Sequence, residues 1–317
     1  MKFLYIIIER VIDMKKAFSY GILSSAFFAF TFVLNRSMHL IGGHWIWSAS
    51  LRYFFSLPIL WLLVRRQNGL SAIHSEMKEN WKHWLLWSTV GFGLFYAPLT
   101  AASIFGESWF VAATWQITIV TGSFMAPLFG KKIPVKNILF LMIILFGIFL
   151  MQTEHIRTGS MSMNEALAAF GLILFAAICY PLGNRKTMIN CSSEITTIQR
   201  VYGMTLFSMP FWIILSGYAV FTNGLPSSGQ VGQSLLVTVF SAVLATLLFF
   251  EATNLVKDDP KQLAVVESTL AVEVIFTLIG GVLFLGDPLP SVMGFIGIFI
   301  IIIGMIGNNL ITARAAS

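Results

Sequence analysis

Glu267 and Glu273 both lie inside "QLAVVESTLAVEVIFTLIGGVLFLGD", residues Gln262 to Asp287, a run long and apolar enough to cross a bilayer. A carboxylate near the centre of a transmembrane helix costs about 2.5–3.5 kcal/mol on insertion scales, so an acid kept there has either a partner or a function. Helical residues three and four apart share a face, which groups Thr269, Glu273, Thr277 and Gly280 into one polar stripe on an otherwise Val, Leu, Ile and Phe surface. At 1.5 Å per residue, Glu273 lies about 15 Å from the near end of the run, close to mid-membrane. An acid at that depth can exchange a proton with a carrier cycle or pair with a cationic substrate; the competing role is a hydrogen-bonded packing carboxyl. Glu267 points about 120° away round the helix. It could guard the inner mouth of a pathway or pair with the nearby Lys261.

Other residue types invite chemistry. Arg52, flanked by Ser48 and Ser56, belongs to a polar stripe within an apolar stretch and would either hold helix ends together or meet a substrate carboxylate. Aromatic rings interspersed with hydroxyls and amides suit a bulky amphipathic ligand. Candidates of that kind are Thr31 and Asn35, Tyr96 just before Pro98, the pair Trp115 and Gln116, and Tyr180 and Asn184. Cys179 and Cys191 have neither metal-ligand spacing nor a disulfide framework and read as packing residues. No metal site or cofactor is expected. Asp258 and Asp259 could hold a magnesium-bound diphosphate in an intramembrane enzyme, but no second acidic cluster completes such a site. A phosphate-binding glycine loop is also missing from the sequence, so ATP is not the direct drive.

The elements that position these residues are membrane spans. Of 317 residues, 57% are hydrophobic and 11% charged, with a mean hydropathy of +0.82, a balance that leaves no polar coat for a soluble domain. The net charge of +6 fits basic loops facing an anionic leaflet, and nucleic-acid binding is not expected. Ten stretches reach the roughly 20 apolar residues a crossing needs: near 17–35, 45–64, 84–104, 109–129, 135–152, 166–184, 198–219, 234–254, 263–285 and 291–311. With the amino terminus inside, every Lys and Arg is cytoplasmic except Arg36, Arg157 and the intramembrane Arg52, as the positive-inside rule asks. Both termini are then cytoplasmic. The short apolar start before Glu9 predicts no cleaved signal peptide, and "MKKAFSYGILSS" makes Met14 the expected start of translation.

Three landmarks recur in the same order. "FVLNRSM" closes span one and "PLGNRKTM" closes span six; Arg52 follows the first and Arg200 the second; "PLFGKKIP" corresponds to "LFLGDPLP". These predict two five-helix halves, and because five is odd the second half enters the membrane upside down, which places a substrate site near the midplane. The expected organisation is a cytoplasmic leader over 1–16, a first repeat over 17–152, an external linker over 153–165, a second repeat over 166–311 and a cytoplasmic tail over 312–317.

Ten helices as five plus five, the Arg52–Tyr53 pair and the "FLGD" turn before a Gly-rich last helix resemble the drug/metabolite transporter superfamily. Within it, "VVESTLAVEVIFTLIGGVLFLG" is similar to the bacterial multidrug resistance efflux transporter family. That resemblance implies an all-α membrane protein, ten transmembrane helices as two inverted five-helix repeats around a central cavity, in a bacterial cytoplasmic membrane. It implies export as the usual direction; taken with the intramembrane Glu273, the expected function is not an enzyme but a secondary transporter that exports lipophilic cationic compounds by proton antiport, with small molecules, protons and lipid as partners. The small four-helix members carry their essential glutamate on the first helix, and span one here has no acid, so that role does not transfer by position. An amino-acid or related metabolite exporter on the same fold is the alternative. Gly294, Gly297, Gly304 and Gly307 of span ten would allow close helix contact, in a homodimer for example.

Overall fold

The computed structural model describes residues 2–130, 133, 135–157, 161–192 and 194–316, with side chains from 13 to 314. Lys131, Lys132 and Pro134 of the first landmark turn, and residues 158–160 of the expected linker, lie outside the described residues. Among the described residues the chain is helical with no strand, the outcome demanded when backbone groups must be satisfied without water. Among the described residues, nine helices are long and apolar enough to cross a membrane. The fourth expected span, 109–129, is interrupted: helix α6 (Ser108–Trp115) gives way at Gln116 to α7 (Ile117–Phe124), followed by a 3₁₀ turn over Ala126–Phe129.

The long helices are α1 (Lys2–Leu40), α2 (Trp45–Arg66), α8 (Val135–Arg157), α9 (Met163–Asn190), α10 (Thr197–Asn223) and α15 (Val292–Ala316). Short α3 (Leu70–Glu79) leads into α4 (Trp81–Ser88), which joins α5 (Leu94–Ala102) through a π-helical turn at Thr89–Gly93. A second, longer π segment, Thr238–Ala245, joins α11 (Ser228–Val237) to α12 (Thr246–Leu255). The glutamate-bearing span consists of α13 (Pro260–Ser268), a 3₁₀ turn at Thr269–Val272, α14 (Glu273–Gly280) and a π turn at Gly281–Leu285. Gly130 and Gly286, which cap the 3₁₀ and π turns within the two landmark segments, adopt left-handed φ values of 71° and 68°, the conformation that glycine enters without a Cβ penalty.

The helices form two compact units. The first comprises residues 1–33, 107–166 and 240–317. Its main seam joins α8 to α15, where Gly147 faces Ile301 and Gly297, Gly304 faces Ile144, and Gly307 lies against the Phe140 ring. The close helix contact expected of the span-ten glycines is made here, against α8. Asn137 Nδ2 locks the seam by donating to Asn308 Oδ1 at 2.9 Å and Thr312 Oγ1 at 2.7 Å. At the far end Asp287 Oδ2 accepts from the Ser108 backbone N–H (3.0 Å) and hydroxyl (2.7 Å), satisfying donors at the start of α6. His155 and Glu107 pair at 2.8 Å there.

The second unit comprises residues 34–106 and 167–239. Its core clusters Leu60, Val64, Ile73, Met77, Trp84, Tyr202 and Met204 from α2, α3, α4 and α10. The start of α10 is fixed by a capping box in which Thr196 and Gln199 bond reciprocally, and Gln199 Nε2 also reaches the Gly69 carbonyl at 2.8 Å. Cys179 is buried and Cys191 half-buried, both free thiols. Burial pushes the Cys191 thiol up to about 11, which leaves little thiolate to react.

Candidate substrate and coupling site

In the first unit, Glu273 opens α14, directly after the 3₁₀ turn. It is 9% exposed, among Ala271, Val274 and Thr277, all fully buried. Thr269 is 3% exposed, so the polar stripe expected along this span is kept and faces protein. Its hydroxyls, however, turn back to the main chain: Thr277 Oγ1 donates to the Glu273 carbonyl at 2.8 Å and Thr269 Oγ1 to the Val266 carbonyl at 2.6 Å. Both threonines are thereby spent on their own helix. The Glu273 carboxyl has no ion pair among the described residues. Glu267 is exposed, as is Glu251.

Helix α1 runs against this broken span. Gly21 packs on the Thr269 side chain, Ser25 Oγ donates to the Thr269 carbonyl at 2.8 Å, and Gly280 receives Val33. Without a Cβ, Gly21 permits that approach. Ser24 Oγ reaches the Ala245 carbonyl at 2.8 Å, and Thr31 Oγ1 shares a short hydrogen bond with Ser241 Oγ. Both partners lie in the second π segment. The rings of Phe27 and Phe30 meet Phe240 at centroid distances of 5.5 and 4.9 Å. Gln116 is buried with Nε2 donating to the Ala112 carbonyl at 3.1 Å, and Trp115 is half-buried. Of the expected site residues in this unit, Thr31, Gln116, Thr269 and Thr277 are thus engaged by neighbouring groups.

In the second unit a different network forms. Tyr96, 1% exposed, accepts at its hydroxyl from Arg52 Nη1 at 2.9 Å and from Asn35 Nδ2 at 3.2 Å. The Arg52 guanidinium also lies 4.4 Å from the centroid of the Tyr96 ring, a cation–π arrangement. Asn35 Oδ1 is buried without a hydrogen-bond partner among the described residues, and so is Trp212 Nε1. Trp212 stacks on Tyr53 at 4.6 Å, and Tyr53 meets Tyr96 edge-on at 5.7 Å. Sequence reasoning missed Tyr53 and Trp212 as parts of this cluster. Their signals were the position of Tyr53 next to Arg52 and a tryptophan deep in a span, beside Pro210. Tyr180 packs on Phe95 at 4.7 Å and is 40% exposed, while half-buried Asn184 donates to the Tyr180 carbonyl at 2.8 Å. The structure therefore brings Asn35, Arg52 and Tyr96 together and sets Tyr180 with Asn184.

Among the described residues no group of three or more His, Cys, Asp or Glu could hold a metal ion. Asp259 has a structural role instead, since its Oδ1 accepts from the backbone N–H of Lys261 (3.0 Å) and Gln262 (3.2 Å), capping α13.

Residues 15–314 match the family described as "Putative multidrug resistance efflux transporter", of the EmrE type. The chain is 45% identical over 303 residues to "Uncharacterized protein YjlA" of Bacillus subtilis (strain 168), covering 92% of this chain and 93% of that one. It is 39% identical over 264 residues to the "Uncharacterized 42.1 kDa protein in intracellular alkaline protease 3'region" of Shouchella clausii, covering 80% and 69% respectively. A solved structure titled "Crystal structure of protein" superposes with a TM-score of 0.57 at 13% identity over 93% of this chain and 99% of that one, a likeness of fold alone.

Proposed function

Since this chain belongs to the EmrE-type multidrug resistance efflux transporter family, we propose that it exports lipophilic cations in exchange for protons by alternating access, with Glu273 as the coupling carboxyl. The observation that carries this reading is a buried acid in a membrane span, flanked along its helix by the buried residues Ala271, Val274 and Thr277 and without an ion pair among the described residues. A carboxyl so placed is costly to keep charged and is relieved by either a proton or a cation. That exclusivity is what antiport requires: whichever cargo leaves must be replaced by the other. In the first unit, which holds Glu273, Trp115 is the proposed aromatic contact to the substrate; Tyr180 and Asn184 are candidate ligand contacts of the second unit by itself. Exposed Glu267 is an accessory that raises local cation concentration at the inner mouth.

The ten-helix inverted repeat belongs to the same proposal and is supported by irregularities that recur at matched places. With Gly130 aligned to Gly286, the break at Trp115–Gln116 falls opposite Ala271 and Val272 of the 3₁₀ turn. The π turn of the third span has its counterpart in the eighth.

The test is export of a fluorescent lipophilic cation from proteoliposomes under an imposed proton gradient. Glu273→Gln should abolish coupled export while leaving insertion and folding intact, and Glu267→Gln should reduce it only mildly. Normal transport by Glu273→Gln with unchanged pH dependence would sink the assignment.

A second reading is favoured by the Arg52–Tyr96–Asn35 network and its unsatisfied Trp212 donor. A buried polar atom left unpaired costs about 1–3 kcal/mol, and a carboxylate-bearing metabolite would relieve it. Protection of the purified protein against heat by amino acids, and not by lipophilic cations, would select this alternative.

A further inference from the structure

At one end of the second unit a cavity of about 480 Å³ opens between the α1–α2 turn, the end of α5 and the α10–α11 loop. That is within the size range of small-molecule sites. Its apolar walls are the indoles of Trp45 and Trp47 with Ile41, Ile104 and Leu225. Its polar groups are His39, His44, Asn223, Ser227 and Gln230, with no Asp or Glu among the described lining residues.

The polar groups present donors. His44 Nδ1 accepts from the Ile46 backbone N–H at 3.4 Å, so in the neutral ring the proton sits on Nε2. Asn223 Oδ1 lies 2.6 Å from the Thr222 hydroxyl, whose one proton is shared with the Tyr218 carbonyl at 3.0 Å, and the Asn223 NH₂ is a donor. Ser227 Oγ accepts from the Gln230 backbone N–H at 3.2 Å and keeps its own proton for a ligand. His44 and Ser227 are also the N-cap residues of α2 and α11, so the positive ends of two helices border the same space. Arg36, one turn before His39, adds a fixed cation and ties down the end of α5 through Nη1 to the carbonyls of Ser103 (3.1 Å) and Ile104 (3.3 Å). The walls are braced as well. Trp47 Nε1 donates to the Gly224 carbonyl at 2.9 Å, and Gln230, 1% exposed, donates to the His44 carbonyl at 2.8 Å and Ser48 Oγ at 2.9 Å.

We propose that this cavity is a binding site for an amphipathic organic anion, whose acidic group meets the donors of His44, Asn223 and Ser227 while its apolar body lies on the Trp45 and Trp47 indoles. The site contains no residue of the Glu273 helix and has the opposite charge preference, so it is additional to the export reading and does not rest on it. The same chemistry is carried by a free aromatic acid and by the headgroup and first methylenes of an anionic lipid.

The test uses the full-length protein in detergent, with 2-naphthoate and the uncharged 2-naphthylmethanol as probes, followed by thermal stabilisation and tryptophan fluorescence. Naphthoate should bind at least about tenfold more tightly than the alcohol, a difference of about 1.4 kcal/mol. Asn223→Asp, a change at an exposed position, should weaken naphthoate binding about tenfold by like-charge repulsion and leave the alcohol unaffected. Trp45→Ala should weaken both probes, whereas Glu273→Gln should weaken neither. Equal binding of acid and alcohol, indifference to Asn223→Asp, or loss of naphthoate binding in Glu273→Gln would each overturn the proposal. Competition against naphthoate by nanodiscs of phosphatidylglycerol, but not of phosphatidylcholine, would make the occupant a lipid; absence of competition from either would make it a free acid.

Discussion

Tyr96 shows how much one hydroxyl can organise inside a membrane. It is the shared acceptor for a guanidinium from α2 and an amide from α1, and its ring carries the face on which the guanidinium rests. Tyr96→Phe keeps that face and deletes the acceptor, so the protein should lose about 1–3 kcal/mol of stability, measured by unfolding in mixed micelles. Arg52→Lys should cost a similar amount, because an ammonium cannot reproduce the planar stacking and the directed bond together. A wild-type unfolding midpoint in both variants would show that the network is stabilised from elsewhere. Glu273 and Arg52 were legible in the sequence because charged residues stand out against apolar spans. The bonds of Thr269, Thr277 and Gln116 were not, since a hydroxyl or amide on the right face can serve a ligand or its own backbone with the same spacing.

Helix ends and seams set the next level. Gly307 lies directly against the Phe140 ring, so Gly307→Leu should force α8 and α15 apart, costing about 1–3 kcal/mol. Gly217, whose Cβ position meets open space, is the control at which Ala should be silent; equal effects at both would remove the seam from the stability account. The α2 cap gives a pH prediction. Burial holds the His44 imidazole below its ordinary 6.5, so on acidification the unfolded chain takes up this proton first. The cap's contribution is therefore complete above about pH 6.5 and is lost as pH falls through and below that value. His44→Asn caps without titrating and should flatten this part of the pH–stability curve; a profile identical to wild type would assign the dependence to another group. The broken fourth span was the element least visible beforehand. "ATWQITIV" contains neither Gly nor Pro, and an apolar run with no punctuation reads as one continuous helix.

For the whole chain, hydrophobic runs made the spans legible because the bilayer imposes a length that composition alone can meet. The grouping of helices into compact units was hidden, since packing partners are chosen by small residues and side-chain shape, which leave a weak trace in sequence. The proposed topology puts both termini and the loop around Lys78 in the cytoplasm and residues 222–232 outside. Single cysteines, in a background with Cys179 and Cys191 replaced, should be labelled from outside by an impermeant maleimide at Ser227 and protected at Ser75; the reverse pattern would refute both the orientation and the inversion.

The π turns at Thr89–Gly93 and Thr238–Ala245 have a kinematic consequence. Each stores one residue beyond what an α turn would hold, with its hydrogen bonds still closed inside the helix. Passing that surplus residue along by one register step swivels the remainder of the rod by about 100° and slides it by about 1.5 Å. A polar face can thereby be swung out of one surrounding and into another without baring a peptide group to hydrocarbon. The slack needed for a turning stroke is built into the main chain of both rods.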